Sequence, residues 1–199
     1  MNREKICKQF SDMPTLYTAR LTLRPMRMSD AADMYRYARR SDVTTYLLWS
    51  PHPSETYTAD YLRYIQGRYA LGDFYDWAVV ETESGRMIGT CGFTRFDLPH
   101  NCGEIGYVLN PEYHGKGYGT EAAERVMRFG FEVLGLHRLE AKFMKGNEAS
   151  LHVMEKLGMT FEGYRRDGML VKNQYRTIGV CAILEHEFRN RSRENGKDI

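Results

Sequence analysis

No stretch of this sequence is apolar over the ~20 residues that a membrane-spanning helix needs, and its opening segment, MNREKICKQF, lacks the apolar core of a secretory signal. These absences predict a cytoplasmic protein with no membrane partner. Net charge is equally scarce: 28 Lys and Arg against 26 Asp and Glu leave a formal +2, too little to hold nucleic acid by phosphate attraction alone. The two basic spots, Arg36/Arg39/Arg40 and Arg189/Arg191/Arg193, are short or interleaved with acids and read as solvated faces. No direct nucleic-acid binding is expected. Four cysteines, Cys7, Cys91, Cys102 and Cys181, have no C-x-x-C spacing, which excludes a zinc ribbon or dithiol motif and predicts free thiols in a reducing compartment. Six histidines lack metal-ligand spacing, so no metal is expected. Internal repeats and low-complexity tracts are missing as well.

What remains is an ordinary globular composition, 42% hydrophobic and 27% charged over 199 residues, enough for one domain with a sizeable core. Residues 18–188 are read as that domain, 1–17 as an N-terminal extension and 189–199 as a polar tail. ARLTLRPMR (19–27) alternates as a strand and stops at Pro25. Ser29 is the expected cap of a helix whose Ala31, Met34, Tyr35 and Ala38 share one face. Pro51 and Pro53 interrupt, and Ser54 caps a second helix, about Glu55 to Ala70, with a tyrosine stripe. YDWAVVET and MIGTCGFTRFD read as an antiparallel hairpin, followed by the strand EIGYVLN. Ala122, Val126, Phe129 and Val133 mark a long amphipathic helix ending at Gly135. Then come the strand HRLEAKFM, a short helix from Asn147 to Gly158, and a last hairpin. This order implies a mixed α/β sheet with helices on both faces.

The distinctive stretch is GEIGYVLNPEYHGKGYGTEAAERVM (103–127). A strand that runs through a glycine-rich turn into a helix aims backbone N–H groups and a positive helix end at one spot, which favours phosphate. Gly115, Gly117 and Gly119 permit positive φ and close approach of a ligand. Two better-known phosphate loops are excluded by spacing. A Walker loop needs Gly where Asn110 stands and Ser or Thr where Gly117 stands; a dinucleotide fingerprint from Gly115 needs Gly at Thr120.

YHGKGYGTEA resembles the pyrophosphate loop of the GNAT superfamily of acetyl-CoA-dependent N-acyltransferases: Gln or Arg, any two residues, Gly, any residue, Gly or Ala. His114, Gly117 and Gly119 occupy the specified positions, with His114 a departure from the commonest Gln or Arg. With NEASLHVMEKLGMTFEG downstream and YLLWSPHPSETY upstream, the chain is similar over residues 18–185 to the RimJ/RimL-type branch, which acetylates protein N-terminal amines or small amines. The resemblance implies a mostly antiparallel sheet splayed between central strands, with acetyl-CoA in the opening as co-substrate. It implies pyrophosphate contacts from His114, Gly115, Lys116, Gly117, Tyr118, Gly119 and Thr120. Pantetheine would lie along Tyr107 and Val108, with Asn147 touching the cofactor and a strand N–H near Val108 as the oxyanion donor.

Transfer from a thioester to an amine requires removal of an ammonium proton, stabilisation of the carbonyl oxygen and a proton for the departing thiolate. Glu104 shares a strand face with Gly106 and Val108 and is the candidate base, with an ion-pair member as its plain alternative role; Asp97 is the reserve. Asn147, Ser150 and Met154 form one helical stripe. Where many family members carry a tyrosine acid this chain has Met154, and Ser150 resembles the serine the branch offers instead. The acceptor is expected near Trp49, Tyr57 and Glu104, and is expected to be a protein N-terminal amine, ribosomal-protein-like. Two alternatives stand beside it: a small amine such as a polyamine or antibiotic, and a non-catalytic acyl-CoA-binding module. The chain is expected as a monomer or homodimer, the latter if an edge near IGVCAIL stays unpaired.

Overall fold

The computed structural model describes residues 3–194, with side chains through Arg191. The strands are β1 (Leu16–Tyr17), β2 (Leu21–Arg24), β3 (Asp76–Glu81), β4 (Met87–Asp97), β5 (Cys102–Leu109), β6 (Arg138–Met144), β7 (Thr160–Val171) and β8 (Gln174–Leu184). They form one sheet in the order β1-β2-β3-β4-β5-β6-β8-β7, antiparallel throughout except between β5 and β6. The helices are α1 (Arg3–Ser11), α2 (Ala31–Ala38), α3 (Ser41–Thr44), α4 (Glu55–Ala70), α5 (Tyr118–Phe129), α6 (Glu148–Lys156) and α7 (Glu185–Glu194). The mixed α/β sheet read from the sequence is thus the observed architecture.

The central strands are apolar on both faces because helices cover both. Trp77, Ala78 and Val79 of β3 and Ile88 and Cys91 of β4 are fully buried, and α5 contributes Ala122, Ala123, Val126 and Met127 to the same core. All four cysteines are free; burial pushes the Cys91 thiol up and the Cys181 thiol up to about 11, which leaves them as packing groups rather than nucleophiles.

Several local expectations are corrected. The first strand covers only Leu21–Arg24 of the expected 19–27. The helix after it is held by Asp30 rather than Ser29: the Asp30 carboxylate accepts from the Arg27 N–H at 2.7 Å and from the two terminal guanidinium nitrogens of Arg24 at 2.8 and 2.7 Å. The long helix is α-helical only to Phe129, then makes a π turn, Gly130–Leu134, before Gly135 stops it at φ 70. That wider turn rotates the apolar stripe, so Phe131 and Leu134 are buried while Val133 is exposed. Ser54 and Asn147 do cap α4 and α6, accepting from the Tyr57 and Ser150 N–H groups at 3.1 and 3.3 Å.

A helix stands at each end of the described residues. From α1, Ile6 and Phe10 are buried, and the Phe10 ring meets Tyr75, Trp77, Phe93, Phe96 and Phe129 at centroid distances of 4.8 to 6.2 Å. Helix α7 seats Phe188 against Phe131 at 5.0 Å; of the expected tail, 189–194 continue this helix and 195–199 lie outside the described residues. The segment IGVCAIL lies in β8, which is paired on both sides; its hairpin partner β7 is one edge strand of the sheet, and β1 is the other.

Candidate active site

Strands β5 and β6 pair in parallel only from Cys102/Arg138 to Ile105/Ala141. Beyond Ile105 they part, so the backbone of Gly106, Tyr107 and Val108 has β4 on one side and an opening on the other. A cleft of about 640 Å³ passes through this opening, lined from the helical side by Trp49, Tyr57 and Tyr61 and from the other by Asn147, Ser150 and Met154.

At the C-terminal end of β5, the turn into α5 is built on two left-handed glycines, Gly115 at φ 75 and Gly117 at φ 82, a conformation that side chains rarely tolerate. A Cβ on Gly119 would come within 3.0 Å of Leu109. Tyr118, Gly119 and Thr120 supply the first amides of α5, which no intrahelical carbonyl can accept. The turn is braced by side chains from elsewhere in the chain. The Arg20 guanidinium donates to the Lys116 carbonyl at 2.9 Å and to Glu121 at 2.7 Å, and stacks over Tyr118 at 4.4 Å; the Tyr118 hydroxyl donates to Glu81 at 2.6 Å. Such a set of glycines, amides and nearby Lys116 fits a pyrophosphate. The His114 and Tyr113 N–H groups are already used, on Pro111 and Asn110 at 3.0 and 2.9 Å, and the His114 ring turns back to the Leu109 carbonyl at 3.1 Å. The Tyr113 and His114 amides and the His114 ring are thus turned to the backbone of the turn itself.

Glu104 points into the cleft from β5. Its Oε1 accepts from the Thr94 hydroxyl at 3.0 Å and its Oε2 pairs with Lys142 of β6. The pairing partner was not legible in the sequence, because nothing local announces which β6 residue a parallel strand brings alongside Glu104. On the opposite side the Tyr107 hydroxyl lies 3.1 Å from both the hydroxyl and the carbonyl oxygen of Ser150. Burial pushes the Tyr107 phenol up, against a smaller opposite pull from the Ser150 hydrogen bond, so it is a proton-bearing donor at neutral pH. A tyrosine hydroxyl thus reaches the α6 stripe from the sheet, beside the buried Met154. Asp97, the reserve base, does not line the cleft.

On the α4 side of the cleft, Trp49, His52, Tyr57 and Tyr61 form an aromatic wall, with His52 5.3, 5.0 and 5.8 Å from the other three rings. His52 donates or accepts one hydrogen bond with Thr58 at 2.8 Å, and burial lowers its pKa, so the ring is neutral at pH 7. Behind this wall stands Asp76, the first residue of β3, whose carboxyl burial pushes up to about 7; the Thr90 hydroxyl and Trp77 N–H oppose that rise. Sequence reading passed over Asp76, although an acid at the head of the apolar run WAVV is a signal it could have used.

Residues 20–160 match the acetyltransferase (GNAT) domain family. The chain is 32% identical over 176 residues to p20, an uncharacterised N-acetyltransferase of Bacillus licheniformis, covering 88% of this chain and 99% of that protein. It is 27% identical over 184 residues to spermidine N(1)-acetyltransferase of Escherichia coli K12, covering 88% and 91%. A crystal structure of a GNAT-family acetyltransferase from Bacillus anthracis superposes with a TM-score of 0.78 at 30% identity, covering 87% of this chain and all of that one.

Proposed function

The chain belongs to the GNAT family of N-acetyltransferases, which use acetyl-CoA, and from that premise we propose that it transfers acetyl directly to a small primary amine bound on the α2/α4 side of the sheet. The observation that carries this reading is the cleft through the β5/β6 splay, which runs from the α6 residues Asn147, Ser150 and Met154 to an acidic, aromatic chamber, while the glycine turn follows the C-terminal end of the same β5. Acetyl-CoA supplies the activated thioester. Residues 115–120 are read as its pyrophosphate cradle, the backbone of Tyr107 and Val108 as its strand partner, and Asn147 as a further contact; the Val108 N–H is the proposed donor to the carbonyl oxygen. Glu104 takes up the amine proton, directly or through one water, using lone pairs that Thr94 and Lys142 leave free. Ser150, with Tyr107 behind it, gives a proton to the departing thiolate. No covalent enzyme intermediate is required, since the cleft lets the two substrates meet from opposite faces.

A protein N-terminus, the acceptor expected from the RimJ/RimL-type resemblance, is the second reading. It is favoured by the exposed apolar rim of Tyr46, Leu48 and Tyr57, on which an extended peptide could lie. The test is calorimetric titration with acetyl-CoA, followed by release of CoA thiol across small amines and N-terminal peptides. We expect Gly117→Glu to abolish binding, and Glu104→Gln to reduce kcat about 10²- to 10⁴-fold, the usual reach of acid–base catalysis. Native protein that binds no acetyl-CoA would sink the reading; release confined to peptides would replace the small amine with the second acceptor.

A further inference from the structure

The cleft contains three acids, Asp73, Asp76 and Glu104, and two basic side chains, Arg68 and Lys142. Arg68 is spent on Asp73 at 2.6 Å and Lys142 on Glu104. Among the described residues no cation is paired with Asp76. Its Oδ1 is sealed from solvent with no hydrogen-bond partner, and the same is true of the hydroxyl of Tyr37, another cleft residue. Buried oxygens of this kind are rare in folded proteins and call for a donor.

The sheet register gives these atoms a direction. Asp76 pairs with Gly92, and Gly92 with Gly106 at the splay. Paired residues share a face, so two glycines lie in the row between the carboxylate and the splay, and no side chain of that row stands between them. The Asp76 carboxylate lies close to this row: a Cβ placed on Gly92 would come within 2.8 Å of Asp76 Oδ1 and closer still to the Tyr75 carbonyl oxygen, and one on Gly106 would meet the Thr94 methyl at 2.7 Å, so Thr94 flanks the row at the splay. Two strand spacings put the Cα atoms of Asp76 and Gly106 about 10 Å apart, less when measured from the carboxylate. A linear diamine with four to six methylenes spans roughly 6–9 Å between its nitrogens when its bonds are staggered, which matches that separation once the carboxylate's own reach is taken off.

We propose that Asp76, with the Tyr37 hydroxyl and the ring of Tyr61, anchors a second, distal ammonium of the acceptor, so that the preferred acceptors are short linear diamines or longer polyamines. This rests on the transfer reading above and narrows its acceptor class. An ammonium supplies the donor that both orphaned oxygens lack, and tyrosine faces add cation–π attraction. The groups facing Asp76 are Tyr37 from α2, Tyr61 and Tyr69 from α4, Cys91 and Thr90 from β4, and Asp30, which Arg24 neutralises. None of these brings a cation to it. Because burial lifts Asp76 to about 7, diamine affinity should rise from pH 6 to pH 8 while the diamine itself stays protonated.

The test compares 1-aminobutane with 1,4-diaminobutane and its five- and six-carbon homologues, by CoA thiol release and by calorimetry of the amines alone, in native protein, Asp76→Asn and Tyr37→Phe. We expect native kcat/KM to favour a diamine at least tenfold over the monoamine, through KM. Asp76→Asn should collapse that ratio towards one and erase the pH dependence of diamine binding, with Tyr37→Phe intermediate and both variants melting cooperatively. A native ratio near one overturns the proposal, as does a ratio that Asp76→Asn leaves intact. An equal loss of kcat on both amines also overturns it, since Asp76 would then serve the reacting nitrogen. If no amine releases thiol, the transfer reading fails separately. The subsite is then judged by calorimetry: diamine heat lost in Asp76→Asn supports it, and no heat, or equal heat, overturns it.

Discussion

A carboxyl whose folded proton affinity exceeds its unfolded one makes a protein less stable as pH rises, and Asp76 is such a group. Its pKa is about 7 when folded and near 3.9 in an unfolded chain. The folded state therefore holds a proton that the unfolded state has released between about pH 4 and pH 7. Stability contributed by that proton is lost across the window, up to an order-of-magnitude bound of 4 kcal/mol at ~1.4 kcal/mol per decade, and about half that with water in the cleft. Asp76→Asn removes the titrating group, so we expect it to raise the melting temperature at pH 8 and to do little at pH 4.5. Calorimetric melts at both pH values decide this, and an equal effect at both would mean that the carboxylate is not strained by burial. Across the cleft, we propose that Ser150, with the Tyr107 hydroxyl 3.1 Å away, gives the thiolate the proton that Met154 cannot supply. Ser150→Ala should lower kcat more than KM, by about tenfold or more, and Tyr107→Phe less, since the serine hydroxyl survives it.

At the scale of elements, what was legible followed local chemistry. Ser54 and Asn147 are short polar side chains ahead of apolar periodic runs, and each caps its helix as read. The glycine turn was legible because Gly115 and Gly117 carry a backbone requirement in their own residue type. What escaped depended on pairing across the chain. Lys142 meets Glu104 only because β6 runs parallel to β5 in one register, and Asp76 faces the splay only because Gly92 and Gly106 stand in line with it. Neither register is written in a local pattern. The π turn after Phe129 was also missed, since a 3.6-residue period extended smoothly through it. The turn into α5 yields its own prediction. Gly117→Ala forces a side chain into φ 82 and should cost about 1 kcal/mol of stability in denaturant melts while weakening acetyl-CoA. Gly119→Ala keeps helical backbone and meets only Leu109 at 3.0 Å, so its stability loss should be smaller.

For the molecule as a whole, the instructive residue is Phe10. Composition and charge bounded the chain to one globular unit, but they could not say where that unit starts, because the opening segment is polar on average and its contribution rests on two side chains. We propose that the folded unit begins at α1 rather than near residue 18. Phe10 is fully buried at the meeting point of five aromatic rings from β3, β4, α5 and their flanks, and Ile6 is 1% exposed. The Trp77 indole N–H also donates to the Pro14 carbonyl at 2.8 Å, so the link between α1 and β1 is tied to the same core. Tyr75 and Asp76 are neighbours in the chain, and Phe93 follows Gly92; the cluster that Phe10 completes thus supports the very strands that carry the cleft floor. Phe10→Ala should cost about 3–5 kcal/mol, the usual loss for a buried aromatic side chain, and lower the melting temperature by several degrees or more. A dispensable extension would instead leave the melt within about 0.5 kcal/mol of native, as surface substitutions do. Deleting residues 1–13 should then be more damaging than Phe10→Ala, since it removes Ile6 as well. Acetyl-CoA should raise the melting temperature of Phe10→Ala, because the glycine turn lies at the opposite end of β5 from that cluster and ligand binding stabilises whatever fraction remains folded.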